Sequence, residues 1–274
     1  MIMLVLLFLG ICLGSFVNAL VWRIYKQWGV KSPKQRAKYS ISHGRSMCIN
    51  CGHTLAVKDL IPLVSWASLG GKCRYCRKPI SWQYPVVELL TGAIFVLSYA
   101  LWPESLSGYA ILQFGTWLII LTGFMALTVY DLRWFILPNR IIYPLLFIAT
   151  AQNFVGIVVF DQGMSLLWGI LGGLVVGSGL FASIYFVSKG KWIGFGDVRL
   201  GALIGVVLAS PVQMLLVIFL SSVIGTLVSI PLLLTGKARQ STKLPYGPFL
   251  IVATVIVRLF GISIVAWYKR QIGI

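Results

Sequence analysis

The sequence predicts an all-α, polytopic membrane protein with about eight transmembrane helices. Three observations carry this. Hydrophobic residues make up 58% of the 274 residues. Charged residues make up only 11%, where soluble domains carry about 25%. Mean hydropathy is +0.91. A soluble domain cannot hide that much apolar surface, because its water-facing shell must be polar. Disorder is excluded as well, since it requires low hydrophobicity. The 23 basic residues against 6 acidic ones leave a net charge of +17. In a membrane protein such an excess belongs to cytoplasmic loops lying on anionic lipid, and nucleic acid is not an expected partner.

The first apolar segment runs from Ile2 to about Val21. No basic residue precedes it and it lacks a small-residue cleavage site, so it reads as a retained membrane helix. Residues 22–84 form a polar interruption that holds 12 of the 23 basic residues and one acid, Asp59. The positive-inside rule puts this loop in the cytoplasm and the N-terminus outside. Further apolar stretches lie near 85–102, 109–130, 141–160, 165–187, 198–210, 212–235 and 246–266, with ends uncertain by ~2–4 residues.

Alternation then places three more loops on the cytoplasmic side. They carry Arg133 and Arg140; Lys189 and Lys191; and Lys237, Arg239 and Lys243. The opposite loops hold Glu104 and Asp161 and no basic residue. Two features run against this pattern. Lys269 and Arg270 fall outside, and 198–210 is short enough to be tilted, broken or re-entrant. The run Gly169–Gly177 contains overlapping small-xxx-small spacings, which predict close helix packing. The domain division read from this pattern is a first helix (1–21), a cytoplasmic loop (22–84) and a transmembrane domain (85–274).

The loop contains Cys48-Ile-Asn-Cys51 and Cys73-Arg-Tyr-Cys76. Two Cys at i and i+3 on a turn aim both thiolates at one tetrahedral ion, so the four Cys form a structural zinc site. A reducing cytoplasm disfavours the alternative, disulfides. Gly52 and Gly71 adjoin the pairs where tight turns need glycine. His43 and His53, the two histidines, are expected to flank the site rather than ligate, because four Cys complete the tetrahedron. Cys12 lies within the first helix as a small apolar residue.

The six acids can be taken singly. Glu104, Asp161 and Asp59 read as solvated loop charges. Asp131 ends the third span and Asp197 opens the sixth, at matching depth on the cytoplasmic side. Glu88 lies about a turn inside the second span. Ionisable groups at such positions are functional candidates. Each Asp has an alternative role as a structural ion pair, Asp131 with Arg133 or Arg140 and Asp197 with Arg199. Gly194 and Gly196, ahead of Asp197, remove side chains from around its carboxylate and let other backbone approach. Two carboxylates at one depth can share a proton, one serving as base toward water and the other polarising a carbonyl. Ion-coupled transport would instead need the acids deep in the bilayer.

At these residues the chain resembles the bacterial type IV prepilin peptidases, Gly-x-Gly-Asp aspartyl proteases of the membrane. The resemblance runs from Gly14-Ser-Phe-Val-Asn18 and Val21-Trp-Arg23 through the tetracysteine loop to Tyr84-Pro-Val-Val-Glu88-Leu-Leu-Thr-Gly92. It continues in Asp131 with Ile136-Leu-Pro-Asn139, in Gly194-Phe-Gly-Asp-Val-Arg-Leu200, and in Pro245-Tyr-Gly-Pro-Phe249. The chain departs from the family's usual residues at Tyr25, Arg199 and Tyr246.

The resemblance implies an eight-span enzyme of the bacterial cytoplasmic (inner) membrane. It implies prepilin or pseudopilin substrates, whose basic leader is cut at the cytoplasmic face. It also implies methylation of the new N-terminus with S-adenosylmethionine as donor. Asp131 and Asp197 carry over as the catalytic pair, and Cys48, Cys51, Cys73 and Cys76 as zinc ligands. Glu88 is assigned to contact with the substrate or the methylation site. The competing class is a non-enzymatic zinc-loop scaffold of a pilus or secretion assembly.

Overall fold

The computed structural model describes residues 1–30, 32–41, 43–235 and 244–271. Lys31, Lys237, Arg239 and Lys243 lie outside the described residues. Among the described residues eleven α-helices are joined by turns, with no strand beyond two isolated antiparallel bridges, Met47 with Thr54 and Lys72 with Pro79. The chain divides into two compact units, Met1–Ala100 and Leu101–Ile274.

In the first unit, α1 (Ile2–Trp28) and α4 (Gln83–Ala100) pack antiparallel. The register is fixed by small residues. A Cβ on Gly10 would stand 2.7 Å from the Cα of Gly92, and one on Gly14 would stand 2.7 Å from the Cα of Glu88. One step further along, Asn18 Nδ2 donates to Tyr84 O at 3.2 Å, and Asn18 Oδ1 accepts from Gln83 Nε2 at 3.0 Å. Each four-residue advance on α1 thus meets a four-residue retreat on α4, which brings Glu88 against the first helix. Residues 85–100 accordingly form part of this unit, whereas the sequence-based division groups them with the residues that follow.

Between these helices the loop forms the short helices α2 (Pro33–Lys38) and α3 (Val64–Ser68) and a 3₁₀ turn at Val57–Asp59. Arg23 ties the loop to the end of α1. Its guanidinium donates to Ser40 O and Ile41 O, both at 3.1 Å, and to Gly44 O at 2.8 Å. The buried cation is therefore met by three backbone carbonyls.

The second unit contains α5 (Tyr109–Trp134), α6 (Asn139–Val158), α7 (Gly163–Leu174), α8 (Leu180–Ser188), α9 (Phe195–Leu208), α10 (Pro211–Leu234) and α11 (Gly247–Gln271). A π turn at Val175–Gly179 joins α7 to α8. Helix α9 is its centre, contacting α6, α7, α8, α10 and α11. Leu200, Leu203 and Ile204 on it are fully buried. Its closest approach is to α7 and the π turn: a Cβ on Gly173 would stand 2.5 Å from Gly205 O, and one on Gly177 2.5 Å from Gly201 O. The small-residue run read from the sequence is the packing seam it was expected to be.

Seven helices among the described residues are long and apolar enough to cross a membrane, taking α7 through α8 as one. The eighth expected span is α9. Its 14 residues extend about 21 Å, short of a ~30 Å hydrocarbon core. Being wrapped by its neighbours, it does not need to match the bilayer by itself.

One ionisable group deep in a span escaped the sequence reading. Arg258 lies eleven residues into α11, about 16 Å along its axis. It is held over the ring of Trp102 at 4.3 Å.

Candidate active site

Asp131 occupies the last turn of α5 and is buried. That turn ends at Phe135, whose left-handed backbone (φ +55°) brings its N–H to Asp131 O at 2.8 Å. The Asp131 carboxylate turns to the first residue of α11, where the backbone N–H of Gly247 donates to it. A Cβ on Gly247 would lie 2.7 Å from Asp131 Oδ2. Glycine is therefore required by contact, not by its dihedral freedom.

Asp197 is in the first turn of α9, half-buried, and its Oδ2 accepts the N–H of Gly194 at 3.2 Å. This is half of a capping box, since Gly194 has no side chain to return the bond. Each carboxylate thus meets the positive end of a helix, Asp197 on its own α9 and Asp131 across at α11. The two are close enough to interact electrostatically. Leu137 is bracketed by the glycines beside them: its Cβ would be 3.1 Å from a Cβ on Gly196, and its Cδ2 3.3 Å from one on Gly247.

The alternative ion pair is not formed at Asp197. Arg199 instead bonds Asn139 Oδ1 and lies 4.6 Å over the Phe195 ring, linking α9 to the start of α6. Arg133 lies against Trp134, 5.8 Å from the ring centroid.

In the first unit, Glu88 is 5% exposed and its Oε2 accepts the N–H of Leu63 at 2.8 Å. Leu63 directs that N–H from a left-handed conformation, φ +61°. Ser15 on α1 also hydrogen-bonds the Glu88 carboxylate. Glu104 and Asp161 are exposed, in line with solvated charges. Asp59 is not. It accepts from Arg74 Nε at 2.7 Å, Tyr75 OH at 2.9 Å and Ala56 N at 3.1 Å. The Arg74 guanidinium holds its carboxyl below the usual carboxylate range, so these bonds persist until the pH falls through that lowered value. The loop brings these groups together because the second Cys pair carries Arg74 and Tyr75 to the 3₁₀ turn, which a reading by local sequence does not show.

The four Cys sulfurs lie within 4.8 Å of one another, and Cys48 Sγ to Cys76 Sγ is 3.9 Å. A tetrahedral zinc with Zn–S of ≈2.3 Å needs sulfurs about 3.8 Å apart, so the donor set fits that ion. The two turns match. Cys48 N bonds His53 O and Gly52 N bonds Cys48 O; Cys73 N bonds Lys78 O and Arg77 N bonds Cys73 O, all at 2.9 Å. Gly52 (φ +71°) and Arg77 (φ +57°) fill the same left-handed position. Gly71 is left-handed as well (φ +68°), as its place in a tight turn requires, and a Cβ on it would stand 2.9 Å from the Trp66 ring.

Burial raises the Cys48 thiol, but backbone bonds from Cys51 and Asn50 and the neighbouring thiols outweigh it and bring it to about 7. At Cys76 the Lys78 amide favours the thiolate, yet desolvation and the other three thiols push it up to about 11. His53 stacks on Tyr75 at 3.7 Å and flanks the cluster, as expected.

Residues 8–102 match the family model described as "Bacterial Peptidase A24 N-terminal domain", and residues 118–230 match "Type IV leader peptidase family". The chain belongs to the type IV leader peptidase family. It is 32% identical to the prepilin leader peptidase/N-methyltransferase of Aeromonas salmonicida (strain A449), covering 96% of this chain and 92% of that protein. It is 31% identical to the protein of the same name from Pseudomonas aeruginosa, covering 97% and 92%. The type 4 prepilin-like proteins leader peptide-processing enzyme of Escherichia coli O78:H11 is 31% identical over 88% of this chain and 87% of its own length. No solved structure matches.

Gly247 and Leu137 are the site residues the sequence reading left without a role. Their signal was present in Pro245-Tyr-Gly-Pro and Ile136-Leu-Pro-Asn, but nothing local says that these segments meet Asp131 and Gly196. Gly247→Ala should shift the Asp131 carboxylate without unfolding the helix pair. Peptidase kcat/KM is expected to fall by about 10²-fold, the usual result of misplacing a catalytic group by an ångström, with the melting temperature of the purified protein changed little. Undiminished turnover would show that Gly247 does not position Asp131.

Proposed function

We propose that this protein is a membrane aspartyl endopeptidase that removes the leader of type IV prepilins or pseudopilins and methylates the new N-terminus. The observation that carries the proteolytic half is the convergence of Asp131 and Asp197, two acids 66 positions apart in a chain with only six, on either side of Leu137, which lies against Gly196 and Gly247.

Two carboxylates acting on one substrate bond favour one shared proton over two negative charges. The ionised carboxylate takes a proton from water as its oxygen attacks the scissile carbonyl. The protonated partner donates to the carbonyl oxygen. In the second half the roles reverse, and the leaving amine receives its proton from the pair. The first proton belongs to the pair and not to one residue. No nucleophilic Ser or Cys is required. Gly194, Gly196 and Gly247 keep the approach to both carboxylates free of side chains.

The basic loop residues and Arg133, Arg140, Lys189 and Lys191 support an orientation with the tetracysteine loop and the Asp pair facing the cytoplasm and the N-terminus outside. A substrate then keeps its basic leader in the cytoplasm while its apolar helix remains in the bilayer. The peptidase machinery falls within 85–274. Cys48, Cys51, Cys73 and Cys76 would hold one structural zinc ion, with no coordination position left for catalysis. The methyl donor is S-adenosylmethionine, which supplies an electrophilic methyl group when bound. Glu88 serves the methylation site.

A prepilin-type substrate incubated with purified protein in detergent should be cut by the wild type. Asp131→Asn and Asp197→Asn should each lower the rate at least 10³-fold while expression stays normal. Near-normal cleavage by either variant would contradict the pair. Separately, metal analysis of a Cys48→Ser/Cys51→Ser variant should show loss of about one zinc equivalent, as a single four-thiolate site requires; zinc at the wild-type level would remove the metal assignment.

A further inference from the structure

The first unit encloses a cavity of about 480 Å³ between α1, α4 and the loop. That is the size of a small-molecule site, within the ~300–1,000 Å³ such pockets occupy. Its wall includes the rings of Trp22, Trp66 and Tyr84, and the turn bearing Cys48 and Cys73. Three charged side chains besides Glu88 reach it: Arg23, Asp59 and Arg74. Arg23 donates to the carbonyls of Ser40, Ile41 and Gly44 and is turned to the loop backbone. Arg74 and Asp59 neutralise each other at 2.7 Å.

Glu88 is the carboxylate of the cavity wall that has no cationic partner among the described residues. Glu88 is buried, and its carboxylate is fixed by the Leu63 N–H and Ser15, neither of them cationic. A carboxylate with that setting is costly unless a cation joins it. Aromatic faces favour the same ligand twice over, by attracting a cation and by stacking on a planar ring.

We propose that this cavity binds the sulfonium methyl donor, with Glu88 facing its sulfonium and the aromatic walls taking its purine. The assignment rests on the methyltransferase reading above and gives that reading a location. It also gives the metal centre a purpose beyond folding. The cysteine turns form part of the cavity wall, so the ion that closes them shapes the donor's seat. Glu88, with a hydrogen bond from each side of the cavity, is held still as the charge that selects donor over product. Transfer turns the sulfonium into a neutral thioether, which the carboxylate holds less well, and release of the product follows from the same interaction that captures the donor.

The test is equilibrium binding of S-adenosylmethionine and of S-adenosylhomocysteine to the full-length, zinc-loaded protein in detergent, read by calorimetry and by quenching of tryptophan fluorescence. Glu88→Gln keeps the acceptor for the Leu63 N–H and removes the charge. It should weaken S-adenosylmethionine at least tenfold and S-adenosylhomocysteine less than threefold. Ala19→Phe, which fills the cavity from α1, should abolish binding of both. If that variant fails to fold, judged by its melting curve and zinc content, the near-isosteric Glu88→Gln result decides alone. Wild-type binding and methyl transfer with both variants binding normally, or equal loss of both ligands in Glu88→Gln, would overturn the site while leaving the methyltransferase reading intact. A wild type that neither binds the donor nor transfers methyl would overturn that reading and the site with it.

Discussion

Helices inside a membrane gain nothing by hiding apolar side chains from lipid, so they associate through close contact of their backbones and through polar groups that lipid cannot satisfy. The placement of the buried acids Glu88 and Asp131 depends on that contact. In the second unit the glycines of α7 and the π turn face Gly201 and Gly205 of α9 at distances no side chain would allow. This lets a 14-residue helix sit enclosed among longer ones, with its N-terminus and Asp197 at a fixed depth. In the first unit Gly14 against Glu88 brings a carboxylate into the seam between α1 and α4. Gly247 does the same for Asp131 at the start of α11. The acids are few, and Glu88 and Asp131 each sit where an absent side chain has made room for them.

The same contacts solve the electrostatic problem of placing carboxylates beside a bilayer. An isolated ion there is expensive. Asp197 accepts a bond at the N-terminus of its own helix and Asp131 one at the N-terminus of α11, so the unpaired N–H groups and dipoles of two helices offset two charges. Arg199, the nearest cation in sequence to Asp197, is occupied by Asn139 and the Phe195 ring. Neither carboxylate is then taken up by that cation. Arg74 and Asp59 show the opposite outcome, in which ion pairing ends the chemistry of an acid.

Composition and loop charge were enough to read the helical membrane class, because apolar content and basic loops are direct consequences of the solvent. The tetracysteine cluster was legible for a similar reason: two i, i+3 thiol pairs in one loop supply the four donors of a tetrahedral ion. Of the site, Asp131 and Asp197 could be isolated by scarcity and depth, and the glycines ahead of Asp197 by their effect on approach. What stayed hidden depends on contacts between segments far apart in sequence. Asp59 looked solvated until the second Cys turn delivered Arg74 and Tyr75. Gly247 looked like a helix start until α11 met α5. Arg258 lay in plain view as a lone cation in an apolar run, but only its position over Trp102 says how it is accommodated. The length of α9 was readable as anomalous; that it is the enclosed centre of its unit was not.

The central claim is that two carboxylates on separate helices work as one acid–base unit. A double-variant cycle tests it most directly. Cleavage of a prepilin-type substrate would be measured under single-turnover conditions for Asp131→Asn, Asp197→Asn and the double variant. Residues that share a proton cannot be removed twice, so the double variant should be no slower than the worse single one, within about threefold. Losses that multiply, with the double variant slower by the product of the two single effects, would mean that the acids act independently and would contradict the account.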